Sequence, residues 1–103
     1  MRDDRVYLHH ILECLDAICA YTVEGQAAFL AERRTQKATL RELQEIAEST
    51  QRLSPSLRKR HPEIPWGDIA GFRNVLVHDY LGISLSRIWD VVQRDLPRLR
   101  SAV

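Results

Sequence analysis

Three polar side chains near residue 75 are of the kinds that transfer protons and bind phosphate. Arg73, His78 and Tyr80 belong to the segment Gly71–Tyr80, which reads GFRNVLVHDY. A histidine exchanges a proton near neutral pH, and an arginine offers a planar fork of donors to a charged phosphate. Together they suit cleavage of RNA by its own 2′-hydroxyl group, a reaction that needs no metal ion and leaves a 2′,3′-cyclic phosphate.

The spacing of these residues limits how they could act together. At about 100° per residue, Asn74 and His78 lie about 40° apart on a helix, and Arg73 and Tyr80 about 20° apart if the helix continues. Arg73 and His78 lie about 140° apart, so a joint role needs the reach of arginine or an irregular last turn. The reaction also needs an acid and a base, whereas the segment holds one histidine. A two-fold homodimer would supply two copies of each residue, which indicates a composite site.

The same residue types also have ordinary structural uses. Arg73, His78 and Tyr80 could form hydrogen bonds between helices or cap a helix C-terminus, where a cation meets favourable partial charge. Asn74 could orient a phosphate or His78, or could bond to a helix end. Asp79 could orient His78 or be solvated. Residue types and spacing alone leave these interpretations open.

The rest of the chain predicts the helices that would position this segment. Its 103 residues fit one domain over residues 1–103. Four glycines, four prolines and no Asn-Gly or Asp-Gly turn argue against a β-sandwich or barrel. We therefore predict an all-α, up-down helical bundle of four to five helices. Apolar periodicity and capping residues place them at about residues 4–21, 26–33, 35–53, 67–78 and from 84 onward, with a single turn at Pro55–Arg60.

Side chains on these helices carry further expectations. Cys14 and Cys19 would lie roughly 8 to 9 Å apart on one helix, too far for a disulfide, so both are expected as free thiols in the core. The sequence contains no Cys-x-x-Cys pair that would indicate a zinc site, and neither a metal nor a cofactor is predicted. Pro97 is expected to kink or end the last helix. The third helix is expected to expose an outer face to solvent, formed by Arg41, Glu42, Glu45 and Glu48.

Charge and hydropathy limit the partners of the chain. A net charge of +1 does not make the whole chain an electrostatic nucleic-acid binder. Two local clusters of cations predict either a solvated face or a patch that steers phosphate: Arg52, Arg58, Lys59 and Arg60, and then Arg87, Arg94, Arg98 and Arg100. No apolar stretch approaches the ~20 residues that span a bilayer, and the charged N-terminus lacks a signal-peptide pattern. A soluble, cytoplasmic protein without a membrane partner is expected.

The segment around Arg73 resembles the signature of the HepT-like HEPN domains: an arginine, four residues, a histidine, one residue and a tyrosine. Much of the remaining chain is similar to that family in the same order of blocks. These blocks are YLHHILE at residues 7–13, HPEIPW at 61–66, IAGFRN at 69–74, LVHDYLGI at 76–83, Trp89, and DLP at 95–97. One departure is IAES at residues 46–49, where the family usually has Ile-Gly-Glu-Ala.

The resemblance implies a HEPN-like bundle that forms a homodimer, and a toxin of a type VII-like toxin–antitoxin system. It implies a metal-independent endoribonuclease with Arg73 and His78 as catalytic residues, RNA as substrate and no action on DNA. It further implies a cognate minimal nucleotidyltransferase antitoxin (MntA-like) that neutralises the toxin by AMPylation of Tyr80. The alternative is a non-catalytic nucleotide- or RNA-binding partner domain of such a nucleotidyltransferase. A purely structural dimerisation domain is a third interpretation.

Overall fold

The computed structural model describes residues 3–78, 82 and 84–102, and helices dominate them. No strand occurs in these ranges, which confirms the predicted all-α class. Helix boundaries differ from the predicted ones by up to about two residues, as is usual for frayed ends. The helices are α1 (Asp4–Tyr21), α2 (Gln26–Ala31), α3 (Arg33–Gln51), α4 (Pro55–Arg60), α5 (Trp66–His78), α6 (Leu85–Asp90) and α7 (Leu96–Ala102), with a π-helical turn at Val91–Asp95 between the last two.

Small polar side chains start three of these helices, as the sequence predicts. The Asp3 carboxylate accepts a hydrogen bond from the backbone N–H two residues later, at 2.9 Å. The hydroxyls of Ser54 and Ser84 accept from the backbone N–H three residues later, at 3.2 and 3.4 Å. Gly25 precedes α2 with a φ of +95°, a conformation that other residues adopt only with strain. Each cap satisfies a donor that the first helical turn leaves unpaired.

The core lies mainly between α1 and α3. Apolar residues at three- and four-residue spacing form one face of α1, and its Ile11 side chain is fully buried. Leu43 and Ile46 of α3 belong to the same buried cluster. Phe29 of α2 packs against Trp89 of α6, with ring centroids 5.4 Å apart. Fully burying one such side chain stabilises a fold by roughly 1.5–3 kcal/mol, so the buried residues of α1 and α3 contribute a large part of the apolar stabilisation.

Two sets of hydrogen bonds fix the connections between the helices. The Asp4 carboxylate accepts from the backbone N–H of Ser54 at 2.8 Å and from its hydroxyl at 2.6 Å. This contact joins the start of α1 to the start of α4. The Trp66 indole N–H donates to the carbonyls of Arg58 at 3.0 Å and His61 at 3.1 Å. The proline-rich connector is therefore closed on itself, and the first residue of α5 is anchored.

Of the two effects predicted for Pro97, an end of the helix is wrong, because α7 continues to Ala102, whereas the regular helix is interrupted just before it by the π turn. The π turn directly precedes this proline, and its geometry is seen in the hydrogen bond from the Leu96 N–H to the Val91 carbonyl. A proline ring clashes with the carbonyl four residues earlier. The wider turn contains one extra residue and moves the nearby carbonyls, so the helix passes the proline.

Two burial predictions are also corrected. Cys14 is a buried free thiol as predicted, whereas Cys19 is exposed. The predicted outer face of α3 is exposed at Arg41 only. Its three glutamates, Glu42, Glu45 and Glu48, are of intermediate burial. The reason is that both α1 and α5 pack on α3, which covers a wider part of its surface than a single neighbour would.

Candidate active site

Helix α5 carries the predicted catalytic pair and is unusually open for an apolar helix. Leu76 is its one buried residue. Ile69 and Phe72 are partly buried against the core, and Val75 is 43% exposed. Asp68 in the first turn complements the positive end of the helix dipole, and His78 lies in the last turn. The helix is thus held along one side and leaves the opposite side free.

The side chain of Arg73 extends from α5 toward α3. Its Nη2 lies 3.5 Å from Oε1 of Glu48, and the same carboxylate oxygen accepts from Nε2 of Gln44 at 3.3 Å. Its Nη1 donates a long hydrogen bond to Oδ1 of Asn74, at 3.4 Å. A guanidinium carries five N–H donors, so donors remain for a phosphate beyond those that Glu48 and Asn74 engage. The partly exposed pair with Glu48 positions the arginine more than it stabilises the fold.

His78 is the last residue of α5 and is exposed. His78 follows the buried Leu76 by two positions, which places it about 160° away around the helix, on the open side. Within the described part of the chain, no side-chain hydrogen bond joins His78 to Arg73. The residue of α5 that contacts the Arg73 side chain is Asn74, and not His78. One chain therefore presents its arginine and its histidine on different sides of one helix.

Two of the predicted site residues, Asp79 and Tyr80, lie outside the described residues. The supporting role of Asp79 and the modification of Tyr80 stay predictions. Glu48 is the residue that sequence reasoning assigned wrongly, to a solvated face. A signal was available, because Glu48 keeps the glutamate of the family's Ile-Gly-Glu-Ala segment, from which the IAES block departs at Ala47 and Ser49.

A groove of roughly 690 Å³ runs along α5. Its apolar wall includes Phe72 and Val75, and Arg87 and Arg98 of the C-terminal helices also line it. Part of the predicted C-terminal cation cluster thus lies beside α5. The remaining cations of that cluster, Arg94 and Arg100, are exposed, and Arg100 pairs with Asp16 of α1 at 2.6 Å.

Among the described residues, the side chains of one group of possible metal ligands converge. Its members are far from Arg73 in the sequence. It consists of His10, Cys14 and Glu45. Burial, together with the negative charges of Glu42 and Glu45, raises the pKa of the Cys14 thiol to about 12. This thiol is protonated at neutral pH unless a cation replaces the proton. The group does not involve the residues predicted to be catalytic.

The fold and the polar residues of α5 define the class of all-α HEPN-like domains. Within that class, the chain belongs to the HepT-like ribonuclease family, because the family model described as "Ribonuclease HepT-like" matches residues 11–103. The resemblance seen in the sequence blocks is therefore confirmed. No helix in the described ranges is both long and apolar enough to cross a membrane.

Several named proteins are similar to the chain over most of its length. "Probable ribonuclease HepT" of Thermococcus cleftensis is 34% identical over 100 residues, covering 96% of this chain and 91% of that protein. "Putative RNase MJ0127" of Methanocaldococcus jannaschii is 35% identical, covering 93% and 80%. "Gamma-glutamylcyclotransferase and putative RNase MJ0434" of the same organism is 32% identical, and the chain spans 46% of its length. No solved structure matches the chain.

Proposed function

We propose that this chain is the toxin of a two-gene toxin–antitoxin system and acts as a metal-independent endoribonuclease in the cytoplasm. The observation that carries the proposal is the pair on α5, Arg73 turned toward α3 by Glu48 and His78 exposed at the helix end. The match to a ribonuclease family over residues 11–103 supports it. Relatives whose names include ribonuclease or RNase support the same substrate class.

The proposed reaction has one displacement at phosphorus. One His78 accepts the proton of the RNA 2′-hydroxyl, and the 2′-oxygen attacks the adjacent phosphorus. Arg73 stabilises the charge on the crowded phosphate. The bond from phosphorus to the 5′-oxygen breaks, and a second protonated histidine donates a proton to that oxygen. The products are a 2′,3′-cyclic phosphate and a 5′-hydroxyl, and DNA is not a substrate because it lacks the 2′-hydroxyl.

A homodimer through the open side of α5 would bring the second histidine. Val75 is 43% exposed, and a Cβ atom at Gly67 or Gly71 would meet no described atom within 4 Å. These residues are four apart and share one side of the helix. The chain itself does not need glycine there, whereas a second helix that approached closely would. His78 lies on this side, so a two-fold axis beside it would place two histidines near one another.

Regulation is proposed to act through Tyr80 and a cognate minimal nucleotidyltransferase. The tyrosine hydroxyl would lose its proton to solvent as its oxygen attacks the α-phosphorus of ATP, the bond from that phosphorus to the β-phosphate oxygen would break, and pyrophosphate would leave. If the helical path of α5 continued beyond His78, residue 80 would lie about 20° from residue 73. The added AMP would therefore put bulk and negative charge beside Arg73 and compete with the RNA phosphate.

A cleavage assay tests the proposed chemistry. Unmodified protein is incubated in EDTA with RNA and with the same RNA carrying one 2′-deoxynucleotide at the mapped site. We expect cleavage of the first RNA only, with a 2′,3′-cyclic end. The variants His78→Ala and Arg73→Ala should each lower the rate by at least about 10²-fold. His9→Ala and Arg34→Ala are matched controls, because both residues are exposed and lie on other helices.

Two outcomes would overturn the proposal. Cleavage that survives both active-site substitutions would place the activity elsewhere. An unmodified protein, verified by intact mass, that binds RNA or nucleotide without cutting would favour the non-catalytic partner domain. The dimer is tested separately by sedimentation of the wild type and of Val75→Arg, which should dissociate without unfolding.

A further inference from the structure

A second cluster of reactive side chains lies between α1 and α3 and has no role in the proposed nuclease. His10 and Cys14 are four residues apart on α1, so they share one side of that helix. Glu45 faces them from α3. The ligand atoms of the three residues all lie within 4.8 Å of one another. The topology thus joins residues that are more than 30 positions apart in the sequence, which is why spacing in the sequence did not reveal them.

The distances between the ligand atoms are close to those around a tetrahedral metal ion, although the Cys14–His10 contact is also a hydrogen bond to sulfur. The Cys14 Sγ lies 3.7 Å from Nε2 of His10, and that nitrogen lies 3.8 Å from Oε1 of Glu45. Zinc bonds of about 2.0–2.3 Å at tetrahedral angles put neighbouring ligand atoms about 3.4–3.6 Å apart. A direct N–H···O hydrogen bond would be shorter, at about 2.9 Å. Small movements of two flexible side chains would complete the metal geometry.

The surroundings of the cluster favour a cation. Oε2 of Glu42 is buried and has no hydrogen-bond partner among the described atoms. Glu42 and Glu45 act on the Cys14 thiol together with Glu13, and all three charges oppose its ionisation. A buried carboxylate oxygen without a partner is costly. A divalent ion at the cluster would compensate these charges.

The cluster is also accessible. Cys14 is buried, whereas the side chains of His10 and Glu45 are partly exposed. Both line a small cavity of roughly 130 Å³ that opens to solvent beside Tyr7 and Ser49. An ion can therefore enter without unfolding of the helices, and a water molecule could occupy the fourth position.

We propose that His10, Cys14 and Glu45 form a zinc site that ties α1 to α3, with Glu42 as an outer carboxylate. A thiolate, an imidazole and a carboxylate are the donors that zinc accepts in proteins, whereas magnesium prefers oxygen ligands. On binding, the thiol proton is released to solvent and the sulfur–zinc bond forms. The ion stabilises the fold and takes no part in the chemistry at Arg73, so the site does not depend on the proposed nuclease.

Metal titration of the untagged full chain tests the site. Metal-free protein is titrated with Co²⁺, which gives a thiolate-to-metal charge-transfer band, and the Co²⁺ is then displaced with Zn²⁺. We expect one ion per chain, a thiolate band and no competition by Mg²⁺. Loss of an outer partner of a metal ligand costs about 10–100-fold in affinity. His10→Ala and Cys14→Ala should therefore weaken Zn²⁺ binding by at least that factor, and Glu42→Gln by about tenfold.

The chain provides its own matched controls. His9 is adjacent to His10 but pairs with Glu13 on the exposed side of α1, and Cys19 is an exposed thiol. His9→Ala and Cys19→Ala should leave the band and the affinity unchanged. Absence of the band in wild type, or equal losses in His9→Ala and His10→Ala, would overturn the site. The readout is metal binding alone, so its failure leaves the nuclease assay unaffected, and the reverse holds too.

Discussion

Helices α1 and α5 are both rich in apolar residues, yet the chain buries them very differently. Four residues of α1 are buried, from Ile11 to Ile18, at spacings of three and four. In α5 the buried residue is Leu76 alone, although seven of its thirteen residues are apolar. Helix α1 is therefore completed by contacts within the chain, whereas α5 presents apolar surface and a histidine outward. Stability and proposed function are assigned to different helices of the same small bundle.

The difference is sharpest for single apolar truncations. Ile11→Ala should lower the free energy of unfolding by about 2–5 kcal/mol, because the side chain is fully buried and leaves a cavity. Val75→Ala should change it by less than about 0.5 kcal/mol in the monomer, because the side chain is 43% exposed. Urea denaturation at a protein concentration below that of the proposed dimer measures both values. Similar losses in the two variants would contradict the comparison.

Glu48 of α3 pairs with Arg73 of α5. Its substitution should therefore affect catalysis, through the position of Arg73, more than it affects the stability of the fold. Glu48→Gln removes the charge that orients Arg73, so we expect kcat for RNA cleavage to fall about tenfold, or about 1.4 kcal/mol in activation free energy. The free energy of unfolding should change by less than about 1 kcal/mol, since the pair is partly exposed. Glu24→Gln is the control, because Glu24 is exposed in the loop before α2. An unchanged kcat, or a change confined to KM, would exclude positioning by Glu48.

The two cysteines allow a finer comparison within α1. In the metal-free protein, burial raises the pKa of Cys14 from its ordinary value of 9.0 to about 12. Below pH 9 the thiol is protonated in both the folded and the unfolded chain. The stabilisation that comes from keeping the buried thiol protonated is therefore fully present. Between pH 9 and 12 the unfolded chain loses the proton first, and the contribution is progressively lost. Thermal unfolding across this range should show a steeper decline for wild type and Cys19→Ala than for Cys14→Ala.

Local chemistry made most of the fold predictable. Capping residues such as Asp3 and Ser54, and the apolar stripe of α1, depend on neighbours within a few positions. The predicted helix starts at these residues are confirmed. The exposure of Cys19 depends on which helices meet, and the passage of the last helix beyond Pro97 depends on the π turn before it. Periodicity alone could not decide either point.

The candidate site was predictable in part for the same reason. Residue types and the signature identify Arg73 and His78, whereas the partner of Arg73 comes from α3 and is seen only after folding. The cluster of His10, Cys14 and Glu45 has the same origin. Sequence spacing predicted no metal site because its third ligand is contributed by another helix.

The contact between Asp4 and Ser54 has a consequence for synthesis on the ribosome. It joins residues 50 positions apart, so the segment from α1 through α3 contains the partners it needs to close. Helices and loops form within microseconds. Ribosomes add roughly 5–20 residues per second, so residues 55–78 take about 1 to 5 seconds more to synthesise. Residues 4–54 leave the ribosome ahead of α5, so α1 and α3 can pack on each other first, and Arg73 then meets Glu48 on a surface already in place.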